Sequence, residues 1–427
     1  MRIFRISLHP MKKSFLTSCA VILFCISSVF SQGTWVRKAD LPGSLALYTS
    51  CFGIGTKGYV LTGRDETSGS SSLGCKVFWS YDSGSNAWTQ MADFAGPART
   101  DAASFSIGNK GYIGTGWNLP VNAYFNDLWE YDAGANSWVQ KADLPGLERH
   151  DAVGFSIGNK GYIGTGIDSN FISKNDLWEY DPVADHWTQK ANLGSAGRNM
   201  AVGFSVGNKG YIGLGFDLYQ NFYPKDFWEF DPALNSWTQK ADFDTCRTEA
   251  IGLGIGNKGY IGTGRIFPFS TQSDDFREFD PVQNTWTTVN DLNLPRIGGI
   301  AFTLGNKGYI GLGWDGNFAL YHDLWEYTPA GTSGIQSTTL SKNLFQVYPN
   351  PTNGTFTVKL NSPVNASATL RVLDVQGKCV YEKSLTIGNS QQPESIQLDN
   401  RLGDGNYFLQ INSGDKQFTQ TITLKRD

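Results

Sequence analysis

The chain has 427 residues, 40% of them hydrophobic, 14% aromatic and 17% charged, with a formal net charge of −4. A mildly acidic chain without a basic cluster argues against nucleic acid and anionic membrane surfaces as partners. Six cysteines, four of them beyond residue 31, are too few for a disulfide-dense fold.

Residues 1–31 read as a signal peptide. Lys12 and Lys13 form a basic start, residues 20–30 an apolar run, and Val29 with Ser31 a small-residue cleavage signal before Gln32. Met11 is the expected start, because residues 1–10 add nothing a signal needs. The apolar run is short for a membrane span, and a lipobox-like LTSC at Cys19 lacks an apolar run before it. Removing this segment deletes Arg2, Arg5, Lys12 and Lys13 and no acid, so the net charge moves from −4 to −8. Among the remaining cysteines, Cys51 and Cys75 can pair only if the loop at Cys75 folds back, since two strands separated by a third lie beyond disulfide reach. Cys379 is expected as a small buried strand residue.

From residue 32 to 328 one text recurs. An anchor tyrosine falls at Tyr59, Tyr112, Tyr162, Tyr211, Tyr260 and Tyr309, and a closing tryptophan at Trp35, Trp88, Trp138, Trp187, Trp237 and Trp286. A period near 50 residues with this regularity means an array or a propeller. The unit at 149–187 shows four strands: VGFSI, a GNK turn, GYIGTG, a variable loop, DLWEYD, a Pro-containing turn and HWTQK. Six four-stranded sheets bury their faces by stacking radially around an axis. Eleven of 13 Trp sit in third or fourth strands, where each can bury ~150–250 Å² between sheets, so packing is their expected role. Arg277 replaces the third-strand Trp of the fifth unit, and that blade should pack differently. The chain enters with a lone fourth strand at residues 34–40 and leaves after a third strand at 323–327. The N-terminal strand should therefore complete blade six and close the ring.

These units, with their anchor Tyr, Gly-rich step, N-D-L-W-x-Y-D-P motif and closing N-x-W, resemble Kelch repeats. The resemblance implies a six-bladed Kelch-type β-propeller in an all-β protein. One departure is that the family's double glycine appears as Gly-x-Gly, for example Gly114 and Gly116 or Gly164 and Gly166.

Residues 329–345 turn abruptly to Ser, Thr and Gly and read as a linker. Residues 346–427 lose the period and alternate like a small, immunoglobulin-like β-sandwich. Tyr348-Pro349-Asn350-Pro351, Gly354, the Asp374-x-x-Gly377-Lys378 turn, Gly405-x-Tyr407 and Lys425-Arg426 resemble the type A C-terminal sorting domain of the type IX secretion system. That resemblance implies the secretion machinery as a partner, export across the outer membrane of a Bacteroidota-type bacterium, and release or surface attachment.

Strand parity puts the short GNK and DPxxN turns on one face. The second-to-third loops and the blade crossovers share the other, where variation collects and binding is expected. The loops carry Trp117, Tyr124, Phe171, Tyr219, Tyr223, Phe269 and Trp314, with Phe222, Phe267 and Phe318 beside them. These read as platforms for sugar rings or protein anchors, or as caps folded onto the blades. The crossovers carry Arg99, Arg149, Arg198, Arg247 and Arg296, with Ala46 at the equivalent place in blade one. Each arginine reads as a fork for a carboxylate-bearing ligand, or as an architectural partner of an acid two positions on (Asp101, Asp151, Glu249) or of nearby backbone. The repeated Asp of the DLW motif is expected to tie the loop base through backbone hydrogen bonds.

His150, His186 and His322 lie on different blades, no HxH or CxxC spacing occurs, and no metal or cofactor is expected. The expected function is a binding module for protein or glycan on the loop face. The alternative is a sugar-active enzyme, because six-bladed Kelch proteins that interconvert sialic acid anomers exist and an arginine ring suits a carboxylated sugar.

Overall fold

Alternation of small and large apolar residues folds each repeat into a four-stranded antiparallel sheet. In the computed structural model, residues 33–65, 74–317, 319–330, 345–360, 367–374, 379–386, 394–413 and 416–426 are described. The expected signal peptide, the linker residues 331–344, the Gly377-Lys378 turn and Phe318 lie outside them.

The third blade shows the pattern: Val153–Ile157, Lys160–Gly164, Leu177–Asp181 and His186–Lys190, paired in that order. Blades one, two, four and five repeat it. The sixth holds Ile300–Leu304, Lys307–Gly311 and Leu324–Thr328, and its outer position is filled by Thr34–Arg37, with Thr34 opposite Thr328 and Arg37 opposite Trp325. The six innermost strands touch one another in a closed cycle. The fold is thus a six-bladed propeller closed by its N-terminal strand.

Two devices lock blade to blade. A first-strand Phe, or Leu253 in blade five, covers the glycine near the start of the second strand of the next blade. A Cβ on Gly111 would stand 2.1 Å from the Phe52 ring, which is why glycine occupies that place. On the outer edge, five of the six closing tryptophans donate Nε1–H to a carbonyl just past the preceding blade's outer strand. Examples are Trp187 to Ala142 and Trp35 to Asn290, both 2.8 Å. Trp88 reaches Ala39 at 2.8 Å, joining blade one to the strand that completes blade six. The tryptophans are mostly half-buried. Full burial falls to the anchor tyrosines, and all but Tyr59, which faces Ser80, donate their hydroxyls to third-strand glutamates, as Tyr112 does to Glu130 at 2.7 Å.

Cys51 and Cys75 are not bonded to each other. Cys51 donates its thiol to the Ala301 carbonyl of blade six at 3.2 Å, while the backbone at Cys75 bridges Arg99 in blade two, so the loop does not fold back.

The tail forms a β-sandwich. One sheet joins Phe345–Tyr348, Thr355–Leu360 and Glu394–Gln397. The other joins Cys379–Thr386, Ser367–Leu373, Gly405–Ser413 and Lys416–Leu424, in that order. Phe356, Val358, Leu370, Val372, Leu409 and Ile422 fill its core. Cys379, expected to be buried, is exposed because its strand is an edge. Arg426 fastens the basic end, donating to the carbonyls of Asn400, Leu402 and Asp399.

Candidate functional site at the loop-face mouth

Of the two roles expected for the crossover arginines, the contacts match the architectural one, with a different acid as partner. Arg99, Arg149, Arg198, Arg247 and Arg296 are fully buried. Each forms a two-pronged pair with the DLW-motif aspartate of its own blade, Asp127, Asp176, Asp226, Asp275 and Asp323, at 2.5–3.0 Å. Each Nη1 also donates to the carbonyl just past the second strand, 2.8–3.2 Å away. Every fork is filled from within, so none is presented to a carboxylated ligand; a guanidinium out of water requires such a partner. The aspartates do not tie backbone as expected. Their remaining contact is the indole Nε1–H two residues on, as from Trp178 to Asp176 at 2.9 Å. Blade five replaces that indole with Arg277, whose guanidinium stands 3.3 Å from Asp275 and also pairs with Asp244 at 3.1 Å.

The acids two positions past these arginines serve elsewhere. Each crossover pairs briefly with the start of its blade's second-to-third loop, as Arg149–His150 does with Ile167–Asp168. It then turns through one left-handed residue before entering the first strand. Those residues are Tyr48, Asp101, Asp151, Met200, Glu249 and Gly298, with φ between 51° and 62°. Their backbones join hand to hand: Asp151 N–H donates to Asp101, Asp101 to Tyr48, Tyr48 to Gly298, Gly298 to Glu249 and Glu249 to Met200, at 3.0–3.4 Å. This collar sits where the chain enters the six strands that line an axial cavity of about 220 Å³. The backbone geometry repeats in every blade; the side chains do not.

The side chains make the collar acidic. Tyr48 lies over Gly298, where a Cβ would meet Leu47 at 2.8 Å and Tyr48 at 3.1 Å, and its hydroxyl donates to Glu249 Oε1 at 3.2 Å. Asp101 Oδ2 accepts from Thr100 Oγ1 at 2.7 Å and from Trp117 Nε1 at 3.0 Å. The His150 imidazole stacks on Trp117, ring centres 4.6 Å apart, and its Nδ1 stands 2.9 Å from Asp151 Oδ2. Arg265 Nη2 is 3.8 Å from Glu249 Oε2. Burial, then the charge of Asp151, pushes the Asp101 carboxyl up to about 8. Burial also raises Glu249, helped by Asp151. Burial pulls the His150 imidazole down, but the Asp151 and Asp101 carboxylates outweigh it and hold it above its usual range. A pocket that resists its own ionisation in this way favours a cation or a hydrogen-bond donor.

The loop aromatics divide. Phe171, Tyr219 and Phe269, from blades three, four and five, are 59%, 89% and 79% exposed. Trp117 and Tyr124 pack on His150. Tyr223 is held between Phe216 and Phe267, at 4.5 and 3.8 Å. Trp314 is half-buried and its backbone bridges Ile297 and Leu320. Some of these rings therefore stand in solvent, and the others fold onto their blades as caps. Sequence reasoning noted Asp101, Asp151, Glu249 and His150 without assembling them, and passed over Tyr48 and Arg265. The available signal was contrast: one crossover position varies in chemistry while its neighbours repeat.

Fold and tail together define an exported six-bladed β-propeller. Residues 346–425 match the family described as the secretion system C-terminal sorting domain, so the chain carries a type IX sorting tail and is secreted or attached at the cell surface. A solved structure titled "Structure of YjhT" aligns with 66% of this chain and 95% of its own, at 17% identity and a TM-score of 0.57, which is a likeness of fold. No curated protein matches the chain. Among the described residues no helix is long and apolar enough to cross a membrane.

Proposed function

We propose that the protein is an exported binding module whose loop face captures a protein or glycan ligand around the acidic mouth. The observation that carries this reading is the pairing of three exposed rings, Phe171, Tyr219 and Phe269, with a buried acidic pocket on one face. Among the described residues, the opposite face carries repeated turns and single exposed aliphatics, such as Val183 and Val282, which are ordinary on a protein surface. Rigid aromatic platforms supply stacking area for sugar rings and anchors for protein side chains alike.

The rival reading, an enzyme for a carboxylated sugar, draws its support from an arginine ring. Those guanidinium groups are engaged by aspartates, so none of the five is left to hold the carboxylate of such a sugar. Glycan-array screening and calorimetry on the full chain test the proposal. Binding that falls at least tenfold in a Phe171→Ala/Tyr219→Ala/Phe269→Ala variant is expected. Turnover of sialic acid anomers by the unaltered chain, lost on Asp151→Asn, would replace the module with an enzyme.

A further inference from the structure

The mouth holds a donor set that a passive collar does not require. Asp101, His150 and Asp151, from two neighbouring blades, each bring one possible ligand atom to within 4.8 Å of the others. We infer that these three residues form a divalent metal site at the mouth, taking a first-row ion such as Mn²⁺ or Zn²⁺ through two carboxylates and one imidazole.

The spacing supports it. Metal–ligand bonds of about 2.0–2.2 Å place neighbouring ligand atoms roughly 3 Å apart. His150 Nδ1 and Asp151 Oδ2 are 2.9 Å apart. That length is short enough for two ligand atoms of one ion, and the buried Nδ1 has no aligned hydrogen-bond acceptor. Two donor atoms side by side without a proton aligned between them are arranged as a chelating pair is. The surroundings fix these ligands as outer-shell groups do in metal sites. Trp117 stacks on the imidazole and sets its plane. The Thr100 hydroxyl and the Trp117 indole both donate to Asp101 Oδ2, so among the described residues no hydrogen bond occupies Oδ1.

A separate observation comes from across the collar. The Glu249 side chain is 9% exposed, its Oε2 is buried without a hydrogen bond, and its nearest cation, Arg265, remains 3.8 Å away. Glu249 is close enough for its charge and that of Asp151 to act on each other. Three carboxylates share one distant guanidinium and one imidazole, a local deficit of positive charge that a divalent ion fills. The mixed set favours Mn²⁺ or Zn²⁺ over Ca²⁺, which prefers oxygen ligands alone.

This inference deepens the reading of the mouth as the binding end. The test uses the ion alone, so its failure leaves the glycan or protein proposal standing. Mn²⁺ and Zn²⁺ are titrated by calorimetry into the chelator-treated full chain, and bound Mn²⁺ is followed by electron paramagnetic resonance. One ion per chain is expected, with affinity at least tenfold weaker in Asp101→Asn and in Asp151→Asn. Trp117→Phe keeps the ring but loses the donor, so it should weaken binding by about tenfold while circular dichroism stays unchanged. No binding up to millimolar ion overturns the site. So does binding that all three variants share, which would mark an adventitious ion elsewhere.

Discussion

The Arg296–Asp323 pair offers the most direct trial of the arginines as architecture. Arg296 is fully buried and Asp323 is 7% exposed. The two N–H···O bonds between them are both 2.8 Å. Arg296 also donates to Leu312, and its guanidinium lies over the Tyr321 ring. Asp323→Ala strands that guanidinium and removes the acceptor of the Trp325 indole. The cost of an uncompensated buried charge is about 3–5 kcal/mol. At roughly 2 °C per kcal/mol for a domain of this size, the melting temperature should fall by about 6–10 °C. The double variant Arg296→Met/Asp323→Leu exchanges the ion pair for apolar volume and should lose less than Asp323→Ala alone. Thermal and urea unfolding of the full chain, followed by circular dichroism, measure both. If Asp323→Ala unfolds within about 0.5 kcal/mol of the unaltered protein while ligand binding disappears, the arginines serve a ligand and the architectural account is refuted.

Further outcomes follow from the same contacts. Trp35→Ala removes a bond to blade five and a ring contact with Tyr327; hydrogen exchange should quicken in the first strands of all six blades, whereas loss confined to residues 324–328 would contradict ring closure by that strand. Gly111→Ala forces a methyl onto the Phe52 ring and should cost about 1–3 kcal/mol, read as a shift in the urea midpoint. Asp176, Asp226 and Asp275 are pulled up by burial, but their arginines, together with neighbouring donors and cations, outweigh it and hold them low. Their folded-state values therefore lie below the unfolded ones, and the stability they add is present above the ordinary carboxylate range. It is lost as pH falls below about 4. An Arg149→Met variant should flatten that acid limb of the stability–pH curve.

The ring was legible because its parts repeat. Six anchor tyrosines show the blade count, and a lone fourth strand at residues 34–40, matched to a repeat that breaks off after its third strand at 323–327, shows the closure. The arginine partners were less legible. The nearest acid in sequence, Asp101, stands two residues from Arg99, but the left-handed turn at Asp101 separates them, and the fork reaches Asp127 instead. The mouth was hidden for the opposite reason. Trp117, His150 and Asp101 stand on separate segments of two neighbouring blades, so no spacing joins them, and the packing of those blades brings the indole onto the imidazole. Exposure of the loop aromatics was also undecidable from the chain. Tyr219 and Tyr223 are four residues apart; one stands in solvent and the other lies between two Phe rings.

The decisive comparison sets the two faces of the propeller against each other. The full chain, a mouth variant (Asp101→Asn/Asp151→Asn/Glu249→Gln) and an opposite-face variant (Val183→Ser/Leu234→Ser/Val282→Ser) are applied to the same glycan and protein arrays. Recognition should vanish in the mouth variant and survive in the other. Recognition that survives in the mouth variant and vanishes in the opposite-face variant would move the functional end of the protein to the side built from repeated turns.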